Sequence, residues 1–202
     1  MGKRLLSCFT SDFSKMSGQD LKNAIKASEG RTVLSENVTG RRSVTGDVTN
    51  SELARAFGAD LILLNGLDVY NPVIAALPES DEPIKLLKNL TGRPVGLNLE
   101  PVDLNADMME EIEIIPEGRM CSEETLKKIE EMGFDFVCLT GNPGTGVTNN
   151  RISEGIKQAK KHFSGMVIAG KMHSAGVDEP VANLDVVKEF IESGADVIML
   201  PA

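Results

Sequence analysis

Apolar residues in this chain come in short unbroken runs, not in strict alternation. Three such runs, LILLN (61–65), FVCLT (136–140) and VIMLP (197–201), close segments that resemble one another: LARAFGADLILLNG (53–66), KIEEMGFDFVCLTGN (128–142) and EFIESGADVIMLPA (189–202). Each reads as the end of an amphipathic helix, a glycine, one apolar residue, an aspartate and then the run. Gly58, Gly133 and Gly194 suit a left-handed helix end. A continuous apolar run is the pattern of a strand buried on both faces, as in parallel sheets flanked by helices.

Three further strands are predicted between these copies. RTVLSENV (31–38) follows the helical segment GQDLKNAIKASEG, RPVGLNLE (93–100) follows PIKLLKNLTG, and GMVIAGKMH (165–173) follows NRISEGIKQAKKHFSG, with Gly30, Gly92 and Gly165 expected to end those helices. Helix starts are marked by Asn50 or Ser51, by Ser122 ahead of Glu123 and Glu124, and by Asn183. The pattern is helix–strand alternation with about six strands spaced roughly 30 residues apart. It predicts an α/β fold with a parallel sheet, either doubly wound or a (β/α)8 TIM-type barrel.

Polar residues at the C-terminal strand ends favour the barrel. Glu36, Asn65, Asn98, Glu100, Thr140, Asn142, Lys171 and His173 all fall there, and a barrel gathers those ends around one mouth. Six units are fewer than eight, so residues 1–202 read as a single, incomplete barrel domain. Either the C-terminus is shortened or an oligomer covers the gap. PVDLNADMMEEIEIIPEGRM (101–120) reads as an acidic loop insertion, a mobile cover for the mouth or plain solvated loop.

Composition narrows the partners. Net charge is −9, Trp is absent and there is one Tyr, so a basic stripe and a stacking platform for nucleic acid are both lacking. A small anionic metabolite is the expected partner. Cys8, Cys121 and Cys138 form no C-x-x-C pair and suggest neither a disulfide framework nor a zinc site. The N-terminus is a poor signal peptide, and no apolar run nears the ~20 residues of a membrane span, so a cytoplasmic protein is expected.

Three groups carry candidate chemistry. LTGNPGTGVTNNR (139–151) has Walker A spacing, with Val147 in place of the lysine. Gly141, Gly144 and Gly146, with Thr145 and the helix start near Thr148, could cradle an anion. The same glycines could equally serve a tight turn, and nucleotide hydrolysis and a nucleotide cofactor are not expected. Lys171 and His173, two apart, would share a side on an extended strand, as Schiff-base or charge-neutralising lysine and acid–base histidine, or as an ordinary ion-pair partner. Glu36 and Glu100 could act as acid and base, pair with cations, or hold Mg²⁺ through water. No metal signature such as H-E-x-x-H is present.

The segments ASEGRTVLSE, AFGADLILLN, TGRPVGLNLEPVD, GFDFVCLTGNPGTGVTN and AGKMHSAGV resemble an uncharacterised bacterial TIM-barrel family often labelled "haloacid dehalogenase-like hydrolase". The resemblance runs over nearly the whole chain and implies a TIM barrel that continues past LPA. Haloacid dehalogenase-type enzymes carry D-x-D after a first strand; here that strand ends LSENVTG and no D-x-D follows any strand, so the label transfers to no residue. The expectations are an enzyme of lyase, aldolase or isomerase type acting on a phosphorylated or carboxylated metabolite, with Lys171, His173, Glu36 and Glu100 catalytic and Asn65, Asn98, Thr140, Asn142, Gly144, Thr145 and Gly146 binding. The alternatives are a non-catalytic anion sensor or inactive barrel fragment and, third, a hydrolase.

Overall fold

A computed structural model describes residues 3–201. After a 3-10 turn at Leu5–Ser7 come α1 (Thr10–Phe13), α2 (Gly18–Ala27), β1 (Leu34–Val38), α3 (Asn50–Ala56), β2 (Leu61–Asn65), α4 (Pro83–Thr91) and β3 (Val95–Leu99). The chain continues with a 3-10 turn at Glu117–Arg119, α5 (Glu123–Met132), β4 (Phe136–Leu139), α6 (Asn149–His162), β5 (Met166–Ala169), α7 (Leu184–Ser193) and β6 (Val197–Ile198). The six strands form one sheet in sequence order, every neighbouring pair parallel. The alternation of helix and strand read from the sequence is this fold.

The unbroken apolar runs have their reason in two cores, one on each face of the sheet. Ile62, Leu64, Val95, Leu97, Leu99, Val137, Leu139 and Val167 pack against Ile84 and Leu87 of α4, Leu126 and Ile129 of α5, Ile152 and Ile156 of α6, and Phe190 of α7. The alternate positions Leu61, Leu63, Phe136, Cys138, Met166 and Ile168 pack against Leu5, Cys8, Phe13, Leu21 and Ala24. The N-terminal segment therefore covers the lower part of the second face. β1 and β6 are the outer strands. β1 is shorter than the predicted 31–38, and its Leu34 and Val38 remain exposed because only β2 pairs with it among the described residues.

The repeated glycine–apolar–aspartate has a single structural role. Asp60 N donates to Val33 O at 2.8 Å and its carboxylate accepts from Val33 N at 2.9 Å. Asp135 does the same with Val95 (2.9 and 2.8 Å), and Asp196 with Val167 (2.8 and 2.9 Å). Each aspartate thus pins the start of its own strand to the start of the preceding one and fixes the register of β1 with β2, β3 with β4 and β5 with β6.

Two local expectations change. The N-cap of α3 is Thr49, which forms a capping box with Glu52, so the helix begins at Asn50. Gly165 does not end α6; the helix stops at His162 and Phe163 is extended. Gly165 is instead required by crowding: a Cβ there would lie 2.3 Å from the Phe163 ring and 2.6 Å from Asp135 O. By contrast Gly133 and Gly194 are the left-handed caps the repeat predicts. The 101–120 segment is not a free loop. Asp103 N bonds Gly146 O, Met109 N bonds Gly176 O and Glu113 N bonds Gly144 O, which ties it to the loops after β4 and β5.

Candidate functional site: the C-terminal ends of the strands

Strand register sets which side chains meet. Glu36, Leu63, Gly96, Phe136 and Met166 occupy one row on the face opposite α3–α7. Asn98, Cys138 and Ile168 belong to the next row, and Asn65 follows Leu63 on the same side. Below this level the face is apolar and filled; above it the side chains turn polar.

Those polar side chains form a hydrogen-bonded chain. Asn65 Nδ2 donates to Glu36 Oε1 at 2.7 Å. Asn65 and Asn142, 77 residues apart, exchange side-chain amide bonds of 3.1 and 3.0 Å. Asn142 then donates twice to Glu100, from its backbone N to Oε2 at 2.9 Å and from Nδ2 to Oε1 at 3.1 Å. Arg119 Nη2 completes the set, 2.5 Å from Glu100 Oε1. Glu100 is 1% exposed, so its charge is compensated by a guanidinium and two N–H groups, as a buried carboxylate requires. Glu36 differs: it is exposed, and its carboxylate is bonded only to Asn65 among the described residues. Asn98 is 5% exposed, and its Oδ1 has no partner among those residues. Thr140 is buried beside this group at the end of β4.

Lys171 and His173 lie beyond the end of β5, so the two-residue alternation of a strand does not govern them. Lys171 is fully buried; its Nζ donates to Val147 O at 3.2 Å and lies 3.4 Å from Glu179 Oε2. Burial pushes the pKa of this amine below its usual range, and Glu179 offsets part of the shift. His173 Nδ1 accepts the Ala175 N–H at 3.1 Å, closing a turn.

Three backbone donors of the glycine-rich loop are spent internally. Asn142 N goes to Glu100, Thr145 N to Asn142 O at 3.3 Å and Gly146 N to Ala175 O at 2.9 Å. Thr145 Oγ1 bonds Asn142 O at 2.7 Å. Gly144 and Gly146 adopt positive φ, which serves the turn. At the start of α6 the Thr148 hydroxyl caps Arg151 N, and the Glu179 carboxylate accepts from Asn149 N at 2.8 Å. A carboxylate of the chain itself thus occupies the helix N-terminus that the sequence offered to a ligand.

The structure therefore brings together Glu36, Asn65, Asn142 and Glu100, with Asn98 and Thr140 adjoining, and places Lys171, His173 and Gly144–Gly146 in a neighbouring cluster that meets the first where Thr145 bonds Asn142 O. Two participants were not singled out from the sequence. Arg119 stands inside a segment that reads as loop, and Glu179 lies in a stretch without a motif; neither carries a spacing signal, because loop paths decide their partners. Burial pushes Cys121 and Cys138 up to about 12 and also raises Cys8, which disfavours the thiolate at all three. Among the described residues no helix is long and apolar enough to cross a membrane, and no three His, Cys, Asp or Glu side chains are grouped as metal ligands would be.

A parallel sheet of successive βα units, with α3–α7 packed on one face and polar side chains at the C-terminal strand ends, defines an α/β protein of the TIM-barrel class. The chain belongs to the family described as Domain of unknown function (DUF7916), which matches residues 6–202. No functionally curated protein matches it by sequence. Among solved structures it is similar to the tryptophan synthase complex from Pyrococcus furiosus (16% identity, TM-score 0.54, covering 93% of this chain and 63% of that one). It is also similar to 2,3-dimethylmalate lyase, a PEP mutase/isocitrate lyase superfamily member (14% identity, TM-score 0.53, covering 90% and 60%). An alpha-subunit mutant of the Pyrococcus furiosus tryptophan synthase gives 17% identity and a TM-score of 0.53, covering 91% and 62%. The chain thus spans somewhat under two thirds of the length of these structures, and the likeness establishes the fold. Nothing in these comparisons supports the haloacid dehalogenase label.

Proposed function

We propose that this protein is a TIM-barrel enzyme of lyase-like type, with its active site at the C-terminal strand ends around Glu36, Asn65, Asn98, Glu100, Thr140 and Asn142. The observation that carries the reading is the continuous chain Glu36–Asn65–Asn142–Glu100–Arg119, which ends in one exposed carboxylate and is anchored on one fully buried one. Glu36 is the group free to move a proton, and Glu100 with Arg119 positions Asn142 and, through it, Asn65 and Glu36. Structures of similar fold whose names denote lyases agree with this class of chemistry.

The test is a carbonyl-release screen on 3-hydroxy carbonyl compounds, read by the increase in hydrazone over that of the intact substrate, since retro-aldol cleavage turns one carbonyl into two. Glu36→Gln should lower turnover at least a hundredfold, within the range of general acid–base catalysis, with the fold intact by circular dichroism. Turnover unchanged in Glu36→Gln would remove that residue from the chemistry.

A second reading makes Lys171 a Schiff-base nucleophile, favoured by the burial that lowers its pKa. Borohydride trapping with a carbonyl substrate, followed by mass spectrometry, separates the two: an adduct on Lys171 supports it, and turnover without an adduct excludes it.

A further inference from the structure

We infer that this mouth takes an uncharged, hydroxyl-bearing carbonyl compound in preference to a free anion, and that Asn98 is the residue that reads its hydroxyl. The inference rests on the mouth being the active site, as proposed above.

The first ground is a donor inventory. An anion needs an unspent positive charge, and both cations near the site are already paired with a carboxylate. Arg119 is committed to Glu100 at 2.5 Å, and Lys171 to Val147 O and Glu179. The amides of Asn142, Thr145 and Gly146 bond within the chain, and Asn149 N at the start of α6 holds Glu179. Two carboxylates, Glu36 and Glu100, face one guanidinium, so the mouth is net negative. Glu110, Glu111 and Glu113 lie on the 101–116 segment that borders Gly144 and add to the repulsion.

The second ground is independent of charge. Two buried polar atoms flank Glu100 without partners among the described residues: Asn98 Oδ1, two residues earlier on the same strand face, and Nε of the Arg119 bonded to Glu100. One lacks a donor and the other an acceptor. Buried polar atoms left this way are destabilising, and a native site that retains them is matched to a ligand that supplies the missing bonds. A hydroxyl donates to Asn98 Oδ1 and a neighbouring carbonyl oxygen accepts from Arg119. This pair of groups needs no charge on the ligand and leaves Glu36 facing it.

The chain has no Trp, so ligand-detected NMR is the suitable assay. The whole chain would be titrated in EDTA with matched pairs: dihydroxyacetone against dihydroxyacetone phosphate, and glycolaldehyde against glycolate. The uncharged member of each pair should give saturation transfer and the charged member none. Asn98→Ala should weaken the uncharged ligand about tenfold, the value of one hydrogen bond in a desolvated site. Asn98→Ala and Asn98→Leu should also leave the ligand-free protein as stable as the wild type or more so, because the removed amide oxygen had no partner; a residue with a purely structural role would not behave so.

The inference is overturned if the charged members bind as well or better in EDTA, if no uncharged member binds at millimolar concentration, if Asn98→Ala leaves that affinity unchanged, or if both Asn98 variants lose stability. Anion binding that appears only when Mg²⁺ replaces EDTA also counts against it. If the discrimination holds but no turnover is found, the lyase-like reading fails and this one stands. If Glu36-dependent turnover occurs on charged substrates alone, the reverse is true.

Discussion

Replacing Asp135 with alanine tests whether the glycine–apolar–aspartate repeat is the device that sets the sheet. The carboxylate accepts from Val95 N at 2.8 Å and from Lys88 Nζ at 2.8 Å. Val95 is 0% exposed, so its N–H would be stranded at the start of β3, a loss of about 2–3 kcal/mol for an acceptor that is charged. Lys88 keeps Gly133 O at 3.0 Å and part of its hydration, so the ion pair adds less than about 1 kcal/mol. The expected total is about 3 kcal/mol. Asp60→Ala provides the internal control. It makes the same bond to Val33 N, but Val33 is 55% exposed and water can replace the carboxylate, so the cost should be about 1 kcal/mol or less. Asp135→Asn keeps an acceptor and should recover about half of the loss. Urea unfolding at pH 7, followed by circular dichroism, gives the three values. Equal costs at 60 and 135, or no recovery with asparagine, would refute the pinning argument.

The pH dependence adds a sign to the same comparison. Burial raises the Asp135 pKa against the opposing effect of Lys88, so Asp135 contributes most below the unfolded-chain value, and stability falls as pH rises through the folded one. At Asp196 burial is outweighed by the Val167 amide, Lys160 and Lys22, and the pKa is lowered; its contribution is present above the unfolded value and is lost as pH falls through the folded pKa.

Two other outcomes are expected. A Cβ on Gly96 would lie 2.2 Å from two ring carbons of Phe136, so Gly96→Val should cost at least about 3 kcal/mol, and Phe136→Leu in the same chain should restore part of it in a double-mutant cycle. The lowered pKa of Lys171 means that, between its folded and unfolded values, the unfolded chain holds more protons. Wild-type stability should therefore rise towards alkaline pH relative to Lys171→Met, and parallel pH profiles from urea titrations would refute that assignment of the amine.

The sequence alone determined the class of this protein, because the relevant signals are local. An unbroken apolar run states that both faces of a strand are covered, glycine states where a helix ends, and the spacing of Asp60, Asp135 and Asp196 repeats with the βα unit. It also placed the candidate site residues Glu36, Asn65, Asn98, Glu100 and Asn142 just where strands give way to loops. What it could not decide is which of those side chains share a space. The Asn65–Asn142 exchange joins residues 77 positions apart, and the partners of Glu100 and Lys171, namely Arg119 and Glu179, are fixed by loops whose paths depend on tertiary contacts. A strand's alternation ends with the strand. Lys171 and His173, two residues apart beyond β5, therefore lie outside that rule, and only the packing of the loops after β4 and β5 put the Lys171 amine against Val147 O and Glu179.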